Sequence, residues 1–263
     1  MAFKAANLAR LAKFNSAASS DFIDMYESIV DTSIIARNAE PKHQTFAPSA
    51  FRCPRVSWFR LRGVQPDLIS TPDRTMEFSA QIGTACHRII QENLKNALGQ
   101  DWLDVEEYVN SRSDLKERYD WNFEPSEDSL ETLITISNPP VRFACDGIIK
   151  WNNSVYLLEI KTSEFSSFDD LMDAKPQHVD QIKCYATLFD LDHVLVLYQD
   201  RQYGGLKCYE KTVTLQDKQA VNNRFQYVMD MVECNLAPDR LPKGDAWCNS
   251  NYCPYYKKCK EWG

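Results

Sequence analysis

Two acidic residues and one lysine near the middle of the chain have the types and spacing to hold a divalent cation. Asp146 lies in the run FACDGIIKW and Glu159 and Lys161 lie in SVYLLEIKTS, with Asn152 and Asn153 between the two runs. Asparagine tolerates the positive φ that a two-residue hairpin turn demands. With those two residues as the turn, facing positions sum to 305, so Trp151 faces Ser154 and Asp146 faces Glu159. Directly opposed residues have Cβ atoms roughly 4.5 to 5.5 Å apart, which sets the two acids side by side, and Lys161, two residues beyond Glu159, shares their face. The neighbours Ala144, Ile148, Leu157, Leu158 and Ile160 are apolar, so the strands are expected to be central and covered. Like charges buried together need a compensating cation. Carboxylate oxygens with room for water suit magnesium or manganese. The lysine then orients or deprotonates an attacking water, or stabilises charge developing on a phosphate. The competing reading is an exposed hairpin with a solvated Glu159–Lys161 pair and Asp146 in a bend before Gly147. A turn displaced by one residue sends Asp146 to the opposite face.

Three further polar residues sit on predicted helices. His87 shares a helix side with Gly83, Ile90 and Leu94, which places it toward the core, either as a hydrogen-bonded core residue or as an imidazole completing an Asp, Glu, His metal site and tilting it toward manganese. Gln181 and Tyr185 are four apart and project together, either into a site or as a pair on the helix surface.

Three cysteines close the chain, Cys248, Cys253 and Cys259, and Cys53 stands far upstream. The spacings are wider than usual zinc knuckles, and four thiolates suit zinc or an iron-sulfur cluster without the spacing choosing between them. Cys86, Cys145, Cys184, Cys208 and Cys234 fall inside periodic runs and read as core filler. Arg52, Arg55, Arg60 and Arg62 surround Cys53 with Trp58 and Phe59 among them, while Lys257, Lys258 and Lys260 flank Cys259 with Tyr255 and Tyr256. Joined, these cations and rings make the surface a single nucleic-acid strand needs; separately, each is a solvated face.

The elements that must position these residues follow from periodicity. Residues 1–45 read as a helix-prone lead-in (AANLARLAKF, then DFIDMYESIVDTSIIARNAE) stopping at Pro41 and carrying no chemistry. A helix is predicted from about Ser79 to near Gly99, with Ile82, Ile89, Ile90 and Leu94 on one side. Residues 101–128 read as a surface helix and loop. The stretch from Leu130 to Ser163 reads as a three-stranded antiparallel meander. A helix from Pro176 to about Phe189 buries Val179, Ile182, Ala186 and Phe189. Strands HVLVLYQ and GLKCYEKTVTL follow, then a helix from about Gln216 to Cys234. The pattern predicts an α/β fold with a mixed central sheet flanked by helices.

Composition bounds the rest. The 263 residues are 44% hydrophobic and 25% charged, which excludes disorder over most of the length. The net charge of -7 leaves any nucleic-acid affinity to local basic patches. The sequence has no apolar run near the roughly 18 to 20 residues that span a bilayer, so a cytoplasmic protein without a membrane partner is expected, and its nine cysteines point to metal rather than disulfides.

Asp146 followed by Glu159-Ile160-Lys161 resembles the PD-(D/E)XK nuclease signature. His87 in GTACHRII, FACDGII, LLEIKTS and Gln181-x3-Tyr185 narrow the resemblance to the RecB-like branch over residues 46–263. One cysteine before the core and three after it resemble its iron-sulfur members: CRISPR-associated four-cysteine exonucleases, AddB-type nucleases and eukaryotic replication helicase-nucleases. The stand-alone CRISPR-associated type, found also in phages, is the most similar. The resemblance implies a restriction-endonuclease-like core and metal-dependent phosphodiester hydrolysis, commonly exonucleolytic on single strands or ends of DNA. It serves recombination, replication or CRISPR adaptation. It implies that His87, Asp146, Glu159 and the carbonyl of Ile160 bind magnesium or manganese, that Lys161 handles the water, and that Gln181 and Tyr185 contact DNA or order the site. It further implies a structural four-iron four-sulfur cluster on Cys53, Cys248, Cys253 and Cys259, with zinc as the alternative. Residues 1–45 depart from the compact pattern and are expected to dock a protein partner. The alternative is a non-catalytic nuclease fold serving as a structural or DNA-holding component of a larger assembly such as a virion.

Overall fold

The computed structural model of the protein describes residues 17–40, 42–67, 73–125, 130–242, 244–250 and 253–262. The predicted helical run over residues 5–14 and the stop at Pro41 lie outside them. The chain divides into two compact units, Met1–Pro41 with Leu68–Ser79, and Lys42–Asp67 with Ala80–Gly263.

In the smaller unit, α1 (Ala17–Ala39) is a long helix. Its Asp31 and Glu27 pair with Arg74, and its Arg37 pairs with Glu77.

The larger unit holds the α/β core. After α2 (Pro54–Leu61) and the part of α3 (Arg74–Leu98) that follows Ser79, β1 (Trp102–Leu103), α4 (Val105–Asn110) and α5 (Ser113–Arg118) lead into β2 (Trp121–Pro125). Then come β3 (Thr132–Ile136), β4 (Val141–Cys145), β5 (Gly147–Trp151), β6 (Ser154–Ser163), α6 (Phe165–Asp169) and α7 (Pro176–Leu188). The remaining elements are β7 (His193–Asp200), β8 (Leu206–Thr212), α8 (Leu215–Glu233) and α9 (Tyr256–Glu261). A mixed sheet is ordered β1-β5-β6-β7-β8 and a separate antiparallel sheet is ordered β2-β3-β4. Strands β6 and β7 are parallel, and the other pairs of the mixed sheet are antiparallel.

The hairpin register is the predicted one: Trp151 pairs with Ser154 and Gly147 with Leu158, and Asn152 and Asn153 both have positive φ, at 47° and 65°. The meander needs correction. The stretch expected to be its middle strand is two strands, and at Asp146 the chain leaves the three-stranded sheet and enters the mixed one. Gly147, the first residue beyond the crossing, leaves room for the Trp102 ring, since a Cβ there would stand 2.8 Å from it, closer than real contacts allow. Residues 101–128 also differ from expectation, because β2 occupies an edge of the smaller sheet and Trp121 stacks on Phe123 and Phe189.

Strand β6 is central and buried on both faces. Its even-numbered Leu158 and Ile160 pack with Ile90 of α3, while Leu157 joins the larger core with Ile182, Ala186 and Phe189 from α7 and its cap. Each such fully buried aliphatic side chain contributes roughly 1.5 to 3 kcal/mol. The helix predicted from Ser79 starts a turn and a half earlier, at Arg74, where Asp73 accepts the Met76 N–H. Ile89, expected on its apolar side, is exposed.

Candidate active site

The site forms where β5 begins and β6 runs past it. Asp146 precedes the first ladder residue of β5, opposite Glu159 in the continued register. Its Oδ2 accepts the Ile160 N–H at 2.6 Å, so the side chain occupies the ladder position that the backbone has vacated in changing sheets. Asp146 and Glu159 are 6% and 2% exposed, which removes the solvated-hairpin reading. Glu159 Oε1 contacts Lys161 Nζ.

Helix α3 brings His87 to the same place. Its Nδ1 lies 3.4 Å from Asp146 Oδ1 and 3.3 Å from Glu131 Oε1. One ligand atom from each of His87, Glu131 and Asp146 forms a group within 4.8 Å, and an imidazole with two carboxylates is a donor set that can hold a divalent metal ion. Glu131, just before β3, was not anticipated. It lies in no periodic pattern with the others, and only the fold brings it there. The expected ligand Ile160 shows its amide engaged by Asp146.

The charges are strongly coupled. Burial opposes protonation of His87, but Asp146 and Glu131 more than offset it and raise its pKa to about 9. Burial also works against ionised Asp146, and contact with His87, the Lys161 charge and the Ile160 N–H outweigh it, leaving the pKa below the usual carboxylate value. For Glu159 burial wins over Lys161, with Asp146 adding repulsion, and the pKa rises to about 7. Lys161 is desolvated as well, yet Glu159 and Asp146 raise its pKa, so it is a cation. In the metal-free protein, protonated His87 and Lys161 supply the positive charge that paired buried acids require.

Helix α7 covers the acids from the other side. Gln181 and Tyr185 are buried, not a surface pair, and Gln181 Nε2 donates to the Tyr185 hydroxyl at 2.8 Å. The Tyr185 ring stacks on Phe143, and burial together with the Glu159 charge raises the pKa of its hydroxyl.

Gln91, one turn beyond His87, is fully buried and donates from Nε2 to the Asp146 carbonyl at 2.8 Å. Its Oε1 is buried without a partner among the described residues. The donated bond pins the residue at which the chain changes sheets. Gln91→Leu is therefore expected to lower activity about 10- to 100-fold, as loss of a residue supporting metal ligands does. Stability should change little, because the substitution removes an orphaned acceptor together with a useful donor. Parallel kinetics and thermal melts check this; activity retained, or lost only through unfolding, contradicts it.

The four predicted cysteines meet. Cys53, Cys248, Cys253 and Cys259 line one cavity of about 550 Å³ with Arg55 and Tyr255. Amides of Arg55 and Val56 point to the Cys53 sulfur and that of Tyr255 to the Cys253 sulfur, while Arg55 Nη1 lies 3.9 Å from Cys259 Sγ. Burial raises the pKa of Cys53, and that of Cys253 to about 11. The flanking segments are tied together by Asp67, which accepts the Lys257 and Lys258 amides, and by Arg52, paired with Asp180 and Asp245. Of the other cysteines, Cys145 and Cys184 are core residues as expected, Cys86 is half-buried, and Cys208 and Cys234 are exposed. The last two sit on an outer strand and at a helix C-cap, where a periodic run no longer faces the core.

The basic residues are only partly a free surface. Arg55 donates to Pro238 O, Arg60 to Thr45 O, and Lys258 to Gln65 O and Pro66 O. Arg62, Lys257 and Lys260 are exposed, with Arg62 over the Trp58 ring and Lys260 over Tyr256. No described helix is long and apolar enough to cross a membrane.

No protein-family model matches the chain, and no curated protein matches it. Solved structures do. The chain is similar to the crystal structure of SSO0001, with 14% identity, a TM-score of 0.45, and coverage of 85% of this chain and 93% of that one. It is also similar to an alkaline exonuclease, LHK-Exo, from Laribacter hongkongensis, with 10% identity, a TM-score of 0.37, and coverage of 78% and 93%. The complex of LHK-Exo with dAMP matches at 12% identity and a TM-score of 0.38 over the same shares.

Proposed function

We propose that the protein is a metal-dependent deoxyribonuclease of the PD-(D/E)XK type that removes nucleotides from the ends of DNA. The observation that carries this reading is the burial of Asp146 and Glu159 side by side on adjoining strands, with the half-buried Lys161 on Glu159 and with His87 and Glu131 against the aspartate. Buried paired acids call for cations, and a magnesium or manganese ion would take the place of the proton that His87 carries in the metal-free protein, beside the Lys161 charge. Asp146, His87 and Glu131 would hold it, with Glu159 adjacent. Such an ion lowers the cost of negative charge developing on the phosphate under attack. Lys161, held as a cation by its neighbours, contributes charge toward the phosphate rather than acting as the base. Gln181 and Tyr185 hold the wall behind Glu159 and fix where the substrate backbone stops.

The four cysteines around one cavity suit a four-thiolate centre, and by the resemblance to the iron-sulfur nucleases that centre is an iron-sulfur cluster rather than zinc. Peptide and guanidinium N–H groups directed at the sulfurs favour thiolates carrying charge. Its role in this reading is structural.

The test is digestion of end-labelled single-stranded and duplex oligonucleotides by cofactor-loaded protein. The expected result is nucleotide loss that requires magnesium or manganese. No degradation with either metal overturns the enzyme reading.

A further inference from the structure

One turn before Gln181, helix α7 carries His178. Positions 178, 181 and 185 stand at i, i+3 and i+7, so they share one face, the face that closes over Glu159. His178 is half-buried, and its Nδ1 lies 2.7 Å from the Tyr198 hydroxyl. Tyr198 pairs with Lys161 across β6 and β7 and is 1% exposed.

Hydrogen-bond accounting fixes the state of the ring. The Tyr198 oxygen already accepts the Lys175 N–H at 3.0 Å, and its own proton has one acceptor within reach among the described residues, His178 Nδ1. Leaving a buried hydroxyl proton unpaired costs roughly 1 to 3 kcal/mol. Tyr198 therefore donates to Nδ1, and the ring hydrogen sits on Nε2. Burial, with the Lys161 and Lys175 charges, drives the pKa down to about 3, so the ring is neutral. Its Nε2–H is bonded to none of the described residues, and Nε2 is not among the buried atoms left without a partner. The donor thus opens to solvent, close enough to Lys161 to feel its charge.

We propose that His178 is a substrate-binding residue whose Nε2–H, aimed by Tyr198, donates to a DNA phosphate oxygen beside Lys161. This rests on the nuclease reading above and adds a residue to it. Gln181 and Tyr185 lie buried further along the same helix face, and the half-buried His178 is the more accessible of the three.

Two amide substitutions separate this role from a structural one. Glutamine places its NH2 near the position of imidazole Nε2, whereas asparagine places its amide near Nδ1, against Tyr198. With wild type, His178→Gln and His178→Asn assayed on the same labelled oligonucleotide, His178→Asn should raise KM about tenfold with kcat nearly unchanged, the scale of one lost hydrogen bond to a charged group. His178→Gln should keep KM within about twofold of wild type. If the ring only supports Tyr198, the order reverses and asparagine is the milder change. A reversed order, or equal behaviour of the two variants, overturns the proposal. A wild type that digests no DNA fails the nuclease reading itself, a result distinct from a digesting wild type with the two variants alike.

Discussion

Glu159→Gln is expected to abolish DNA cleavage and, in the metal-free protein, to raise the melting temperature. The two effects share one cause. Glu159 is 2% exposed, and burial outweighs the help it gets from Lys161. Its pKa is raised from 4.5 to about 7, so folding favours its protonated form. A raised carboxyl contributes stability that is fully present below pH 4.5 and is lost as pH rises through about 7. Glutamine imitates the protonated acid at every pH. The variant should match wild type below pH 4.5 and become the more stable protein as pH passes about 7, by several °C if roughly 1 kcal/mol or more is relieved. Cleavage should fall about 10³-fold or more, since glutamine neither compensates a cation nor holds Lys161 in place. Saturating manganese should shrink or invert the stability difference, because a ligand that binds the folded state better raises its stability. Melts across pH with a chelator, beside digestion assays, read all of this. A less stable variant at alkaline pH would mean that the pair with Lys161 outweighs burial.

The second large effect is expected at the cysteines. Cys253→Ser should remove the brown colour and the absorption near about 400 nm expected of thiolate-bound iron, and should lower the melting temperature by about 10 °C or more. The reason is architectural. The segments carrying Cys53 and the three terminal cysteines line a cavity of about 550 Å³, and around it they are joined by hydrogen bonds of Asp67, Lys258 and Arg55, the Arg52–Asp245 pair and ring contacts of Trp58 and Phe59 with Tyr255 and Trp262. A centre bonding all four sulfurs contributes its binding free energy directly to holding them together. Cys208→Ser, at an exposed cysteine on β8, should leave both spectrum and stability unchanged. Colourless wild-type protein that contains zinc would contradict the iron assignment while keeping the metal one.

Much of the site was legible because a hairpin is arithmetic. Once Asn152 and Asn153 are the turn, the opposition of Asp146 and Glu159 follows, and the apolar frame around them says that the pair is buried. The crossing between sheets was not legible, because β4 and β5 abut with a single residue between them and read as one strand. Asp146-Gly147, an acid and a glycine interrupting an apolar run, was the available sign. Glu131 could not be read from spacing, since loop geometry alone places it. Gln91 and His178 were within reach: one is four residues after His87, the other three before Gln181, both on helices already predicted. The basic clusters misled in part because charge in a sequence carries no record of its partner, and Arg52, Arg55, Arg60 and Lys258 are occupied by local carboxylates and carbonyls.

The central claim is that the acid pocket captures a divalent cation, and calorimetric titration of manganese into metal-free protein tests it most directly. Wild type should bind, and His87→Ala, Glu131→Ala and Asp146→Asn should each weaken binding about tenfold or more. A wild type that takes up no manganese, or one whose binding is indifferent to all three substitutions, would contradict the account.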